Sequence, residues 1–239
     1  MNLQSSAVVE ELFDSQWQLY NKILDNNYMG HQEIHGALRN FLLSYSKPFS
    51  VLDLGCGNAS FISQILLGTN ISAYHGIDLS EAALLIAQRN LATIPCTKAF
   101  TVGDIVELIP QLVNEHSKSF DIILSTFAIH HLNLEQKGFV ISQLSRLLKE
   151  NGVFVLLDII RRDDEAREAF IQRMVERVQQ EWSLLTPEEI TITCDHISSG
   201  DFPETQETLY LLGQKNGFKN VSCLYKDARH TSQVLCFYL

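Results

Sequence analysis

The stretch Val51-Leu-Asp-Leu-Gly-Cys-Gly-Asn-Ala59 decides the fold. Val51 to Leu54 reads as a short strand that stops at Gly55. Phe61, Ile62, Ile65 and Leu66 then fall on one helical face, and Gly68 is placed to end that helix. A strand that enters a helix through two glycines brings bare backbone close to any ligand, and the helix start adds free N–H groups. Asp78 follows in Gly76-Ile-Asp-Leu79, at the end of the next apolar run. A carboxylate at that place accepts from the two hydroxyls of a ribose. So far the pattern says only that a nucleoside is bound.

Outward from this point, short apolar runs alternate with helical periodicity. Ala73–Ile77, Phe100–Val102, Phe120–Ser125 and Val153–Leu157 read as further strands. Ser80 caps a helix whose buried stripe is Ala83, Leu84, Ala87 and Leu91. Asn133 with Gln136 forms a capping box for a helix running to about Glu150, and Glu150-Asn-Gly152 supplies a turn before the fifth strand. This alternation predicts an α/β fold with a parallel sheet and right-handed crossovers. Two regions stand outside it. Residues 6–45 are helical, with Val9, Leu12, Phe13, Tyr20, Ile23 and Leu24 on one face. An insert over 161–203 begins with an amphipathic helix marked by Ala166, Phe170, Met174, Val178 and Trp182. The chain ends as helix 205–216, strand 220–226 and strand 232–238, an antiparallel pair at the sheet edge.

Composition narrows the function classes. Of 239 residues, 18 are Lys or Arg and 28 are Asp or Glu, a formal net charge of −10. Arg161, Arg162, Arg167, Arg173 and Arg177 are interleaved with acids, so no basic patch forms and a nucleic-acid partner is disfavoured. Five scattered cysteines without a CxxC exclude a disulfide framework or zinc knuckle. Apolar runs are far shorter than the roughly 20 residues of a membrane span, and Met1–Leu12 lacks a signal-peptide pattern. The expectation is one domain over 1–239, reduced and cytoplasmic, with no membrane.

Three details identify the nucleoside ligand. Ser60 stands where a dinucleotide fingerprint wants a third Gly or Ala, and Asp53 gives a D-x-G-x-G frame instead. Asp104 adds a third carboxylate after the third strand, and Phe120–Leu132 ends the fourth strand in a polar mouth. A diphosphate is ill-placed beside these acids, whereas a sulfonium cofactor with an ammonium group suits them. The chain resembles the class I S-adenosylmethionine-dependent methyltransferases, in the small-molecule branch that includes ubiquinone-biosynthesis-type enzymes. The resemblance is strong over about 50–160 and looser to the terminal hairpin.

It implies a Rossmann-like, seven-stranded, mostly parallel sheet with a C-terminal antiparallel hairpin. Residues 46–160 would be the cofactor core, 204–239 would complete the sheet, and 6–45 with 161–203 would form a cap. It further implies that Asp53, Gly55, Cys56 and Gly57 hold the methionine part of S-adenosyl-L-methionine. Asp78 would take the ribose with Leu79 beside the adenine, Asp104 and the Ile105 backbone would meet the adenine edge, and Thr126 and Phe127 would line the methyl-delivery side. The third glycine of the motif is here Ala59, a change of one methyl with little expected cost.

His130 and His131 are the catalytic candidates, as a base beside the transferred methyl; otherwise one caps the next helix and the other lines the pocket. Tyr20, Tyr28, His31, Arg161 and His196 are substrate-side candidates. Arg161 could instead pair with the acids at 163–165, and Tyr28 and Tyr20 could be core. His31 with His35, and Cys194-Asp195-His196, each lack a further ligand nearby, so no metal is expected, and His31 and His35 read as a solvated helix face. The expected reaction is in-line methyl transfer to an O or N atom of a small molecule. A methyltransferase acting on tRNA or protein, or a non-catalytic cofactor-binding subunit, are the alternatives.

Overall fold

Alternate residues of a strand face opposite sides of a sheet, and this chain uses both sides for core. The structure is a computed structural model that describes residues 18–239; Val9, Leu12, Phe13 and Trp17 lie outside the described residues. A helix over 18–25 (α1) and α2 (His31–Leu43) precede the alternating unit. That unit runs β1 (Phe49–Leu54), α3 (Ser60–Leu66), β2 (Ile71–Asp78), α4 (Glu81–Asn90), β3 (Thr97–Val102), α5 (Ile105–Glu115), β4 (Phe120–Thr126), a 3-10 turn (Ile129–His131), α6 (Leu134–Leu147) and β5 (Leu148–Arg161). Then come α7 (Arg167–Glu181), α8 (Pro187–Gly200), the two-residue β6 (Glu204–Thr205), α9 (Gln206–Lys215), β7 (Asn220–Lys226) and β8 (Ser232–Tyr238).

Seven strands lie in the order β3-β2-β1-β4-β5-β8-β7, with β6 beside the end of β5. The first five are parallel, and β8 is antiparallel to both β5 and β7. The terminal hairpin therefore inserts its second strand between β5 and β7, which leaves β7 at the edge. Val51, Tyr74, Ile122, Leu124, Val155 and Leu157 pack toward α2, α3 and α4. Leu52, Leu54, Ile77, Ile123, Phe154 and Leu156 pack on the other side toward α5, α6 and α9. A third cluster joins α1 to α7 and α8 through Leu19, Ile23, Phe170, Met174, Val178, Trp182 and Ile197.

Local expectations meet the structure in most places. Ser80 accepts from the Ala83 N–H, and Asn133 and Gln136 form the capping box in both directions. Gly68 and Gly217 take the left-handed conformation just past their helices. One expectation is corrected, and two helices that the sequence pattern left unassigned are present. Helix α6 ends at Leu147, and the residues read as a turn belong to β5. There Asn151 takes φ +63° and the register with β4 shifts, so Asn-Gly makes a bulge. Helix α5 fills 105–115 although Pro110 sits inside it. The second half of the insert is also helical, opened by a Thr186–Glu189 capping box with Pro187 at its start. Among the described residues no helix is long and apolar enough to cross a membrane.

The Asn133 cap fixes the chain just after His130 and His131. Asn133→Ala removes the acceptor for the Gln136 N–H and should lower stability by about 1 kcal/mol, read as a lower urea midpoint at unchanged slope.

Candidate active site

Strand order reverses between β1 and β4, whose neighbours run outward on opposite sides, and ligands of open α/β sheets bind at the carboxyl ends of strands at such a point. A cavity of about 610 Å³ opens there, a size typical of small-molecule sites. It is lined by Asp53, Gly55, Cys56 and Gly57 after β1, by Asp78 and Leu79 after β2, and by Asp104 and Ile105 after β3. Thr126, Phe127, Ala128 and His131 border it after β4, with Tyr20 from α1 and His196 from α8 on the far side. All ten residues expected to meet the cofactor therefore surround one space.

Each carboxylate is set differently. Asp53 is 2% exposed; its Oδ2 accepts from the Tyr74 hydroxyl at 2.6 Å, while Oδ1 has no hydrogen-bond partner. Burial, partly countered by Tyr74 and reinforced by the charge of Asp78, pushes its pKa up to about 7. Asp78 accepts the Gly57 N–H at 2.8 Å on one oxygen and the Ser80 N–H at 2.9 Å on the other, which ties the glycine loop to the start of α4. Asp104 caps α5 by accepting from the Val106 N–H. Cys56 is partly buried beside Asp53; burial first, then the Asp53 charge, raises its thiol pKa far above the usual range and leaves it a poor nucleophile.

The backbone is shaped to leave this space open. Gly55 takes φ +70°, and a Cβ on it would lie 2.4 Å from the Ala128 Cβ. Phe127 adopts φ +48°, a left-handed conformation costly for a bulky residue, while its N–H donates to the Leu157 carbonyl at 2.8 Å. Ala59 also sits at φ +53°. Its methyl is thus not free as expected, since a left-handed Cβ costs about 1–2 kcal/mol.

The two histidines divide. His130 is buried, with Nδ1 at 2.5 Å from Asp158 Oδ1, and its backbone N–H donates to Asp158 Oδ2 at 3.0 Å. Burial opposes a charge on this ring, but the Asp158 carboxylate, joined by Asp201, outweighs it and raises the pKa. His131 lines the cavity with its side chain 41% exposed. Burial, then the neighbouring His130, lowers its pKa to about 4, so it is a neutral imidazole near pH 7.

Three substrate-side candidates are corrected. Tyr28 stacks on Trp182 at 4.9 Å, its hydroxyl accepts from the Leu184 N–H and its carbonyl accepts from Arg177, so it joins α1 to the insert. His31 is no solvated residue: it is buried against Phe61 and Phe127, behind the cavity wall, and burial lowers its pKa to about 4. Arg161 donates to the Pro203 and Glu165 carbonyls and pairs with Glu204, not with the carboxylates at 163–165. Sequence reasoning passed over Tyr74, Asp158 and Asp201. Asp158 alone left a signal, as the one charge inside the apolar run of β5.

Comparison with known proteins agrees with this fold. A family model described as a methyltransferase domain matches residues 46–216. An uncharacterized methyltransferase of Bacillus cereus is 28% identical over 168 residues, which are 70% of this chain and 74% of that protein. The structure of a SAM dependent methyltransferase from Archaeoglobus fulgidus has a TM-score of 0.58 at 13% identity, over 87% of this chain and 94% of that one. Cyclopropane synthase MmaA2 from Mycobacterium tuberculosis has a TM-score of 0.54 at 18% identity, over 81% and 62%. The two structures share the fold with this chain. With the family model covering well over half of its length, the chain belongs to the methyltransferase-domain family and is a methyltransferase.

Proposed function

We propose that this methyltransferase uses S-adenosyl-L-methionine and moves its methyl group to an O or N atom of a small molecule. The observation that carries the reading is the unpartnered Asp53 Oδ1, buried at the floor of a cavity ringed by three separate carboxylates. A lone buried acceptor beside two glycines suits an ammonium group and is hostile to a diphosphate. The residues present fit the cofactor: Gly55 and Gly57 would leave room for its methionine part beside Asp53, Asp78 would hold the ribose, and Asp104 with Ile105 would meet the adenine. When bound, the cofactor supplies a methyl on a sulfonium, an already activated leaving group, and is left as S-adenosyl-L-homocysteine.

The remaining work falls to this chain's own residues and is mostly alignment, worth on the order of 7–11 kcal/mol when reacting groups are well oriented. Phe127, strained in place, and Thr126 shape the side from which the acceptor approaches. Neutral His131 borders the same space and can accept a proton from an acceptor hydroxyl or amine. Helix α1, together with the 161–203 insert, forms the cap: Tyr20 and His196 close the far side of the cavity and exclude water. We assign acceptor choice to these cap residues, within one domain whose core is 46–160 and whose sheet is completed by 204–239.

Calorimetric titration with S-adenosylmethionine, S-adenosylhomocysteine and NAD tests the cofactor. Binding of the first two at micromolar concentration without the third is expected; binding of NAD alone overturns the reading. Asp78→Ala should weaken S-adenosylhomocysteine at least tenfold, as expected for a charged hydrogen bond worth about 1.5–3 kcal/mol, while a thermal melt shows the fold retained. An unchanged affinity would remove Asp78 from the site.

Asp53 gives a second, pH-resolved test. Its folded pKa lies above the unfolded value near 4, so its contribution to stability is present below about pH 4 and is lost as pH rises through about 7. Asp53→Asn keeps an acceptor for Tyr74 and removes the penalty. The cofactor-free variant should gain on the order of 2 kcal/mol at pH 8 and little at pH 4.5, measured by denaturant unfolding. Its cofactor affinity should fall in the same experiment series, because the ammonium loses its charged partner.

A further inference from the structure

Asp201 follows α8 directly, and its side chain is 7% exposed. Its Oδ1 is buried without a hydrogen-bond partner. Three imidazoles surround that oxygen: His130 Nε2 at 3.5 Å, His131 Nδ1 at 3.5 Å and His196 Nε2 at 4.0 Å. None is near enough for a hydrogen bond, whose N···O separation is about 2.7–3.2 Å. The methyl transfer described above gives this oxygen nothing to do.

The spacing has a different fit. Metal–nitrogen and metal–oxygen bonds of about 2.0–2.2 Å arranged tetrahedrally put neighbouring donor atoms about 3.4 Å apart. One nitrogen each of His130 and His131 and an oxygen of Asp201 lie within 4.8 Å of one another. Behind His130, the Asp158 carboxylate at 2.5 Å holds the ring proton on Nδ1 and leaves the Nε2 lone pair turned toward Asp201. Metal-binding histidines are oriented by a carboxylate in this way. His131 Nδ1 also lies 3.1 Å from the Gly200 carbonyl, so ligation through that atom places the ring proton on Nε2, and His131 is then free to act as a base only in the metal-free protein. His196, 63% exposed, stands at the open side. Imidazoles with one carboxylate suit zinc, cobalt, iron or manganese, not the all-oxygen shells of magnesium and calcium.

We propose that His130, His131 and Asp201, with His196 as an outer fourth ligand, hold one divalent transition-metal ion in the wall of the cavity. Sequence spacing hid the site because its ligands come from the β4–α6 connection and from the end of α8, about 70 residues apart. Because His131 and His196 also line the cavity, the ion borders the space around the acceptor and favours an acceptor that offers an oxygen or nitrogen lone pair. That last step rests on the proposed methyl transfer; the ion site itself does not.

The test is titration of the chelator-treated full chain with Co²⁺ alone, followed by its visible d–d absorption. One equivalent should bind at micromolar concentration or tighter, with band intensities of a four- or five-coordinate ion. Asp201→Asn should weaken binding at least a hundredfold. His131→Ala, at an exposed side chain, should do the same where the first variant fails to fold, and His196→Ala should weaken it about tenfold. No binding below millimolar Co²⁺, or binding unchanged in the Asp201 and His131 variants, overturns the proposal. Titrating S-adenosylhomocysteine into the same samples separates the two readings: Co²⁺ bound without it sinks the cofactor assignment alone, and the converse sinks the metal site alone.

Discussion

The cavity exists because β1 and β4 leave the sheet side by side at the same end and their loops must pass within van der Waals contact. Gly55 and Ala128 are the point of passage, with no space for a Cβ on the first. Any side chain at Gly55 would push the β4 loop away, and with it Thr126, Phe127 and the histidine turn. The same loop is held from the other side by the Phe127 N–H on the Leu157 carbonyl, which ties it to β5. Phe127 reaches that bond only by accepting a left-handed backbone, so the strain and the contact at Gly55 are two parts of one constraint.

From that constraint the polar groups follow in order. With the β1 loop fixed, Gly57 can donate to Asp78, which in turn holds the start of α4 through Ser80. Asp53, one strand step below, is sealed under the loop with Tyr74 as its single partner. With the β4 loop fixed, the His130 backbone and ring both reach Asp158 at the end of β5, and the Phe202 N–H closes the far side by donating to the His130 carbonyl at 2.8 Å. The insert is thus fastened to the histidine turn, and it is anchored further by the apolar cluster with α1, by the Lys22–Glu189 ion pair and by Arg173 on the Arg229 and His230 carbonyls.

The glycine-loop half of the cavity was legible because its residues sit at strand ends in one local frame each: Asp53-x-Gly-x-Gly57, Asp78 and Asp104. Strand ends are fixed by apolar runs, and parallel pairing brings them to one edge without further information. The other half was not legible, for a physical reason. Asp201 meets His130 only through the way the insert folds back, and no periodicity records that path. Tyr28 and His31 misled because an aromatic or imidazole near a glycine reads alike whether it faces a pocket or a core; the partners that decide, Trp182 and Phe127, are distant in sequence. Helix α5 was obscured by Pro110, which removes one backbone donor from an otherwise apolar-faced helix.

Buried charge in this chain is of two kinds, and the difference separates scaffold from site. Asp121 accepts from the Ser50 N–H and hydroxyl and from Lys149, so the β1–β4 seam is pinned by a carboxylate whose pKa is lowered. Lys137 is likewise enclosed, donating to the Phe202 carbonyl and to Glu204. Asp53 and Asp201 are buried about as deeply as Lys137 and more deeply than the part-buried Asp121, yet each keeps one oxygen with no donor, and burial raises both pKa values. A fold gains nothing from a half-satisfied buried carboxylate, and native structures rarely keep one without cause. These two oxygens, Asp53 in the cavity and Asp201 beside the cavity-lining His131, are where a ligand would supply the missing partner, whereas Lys137 already finds its partners within the chain.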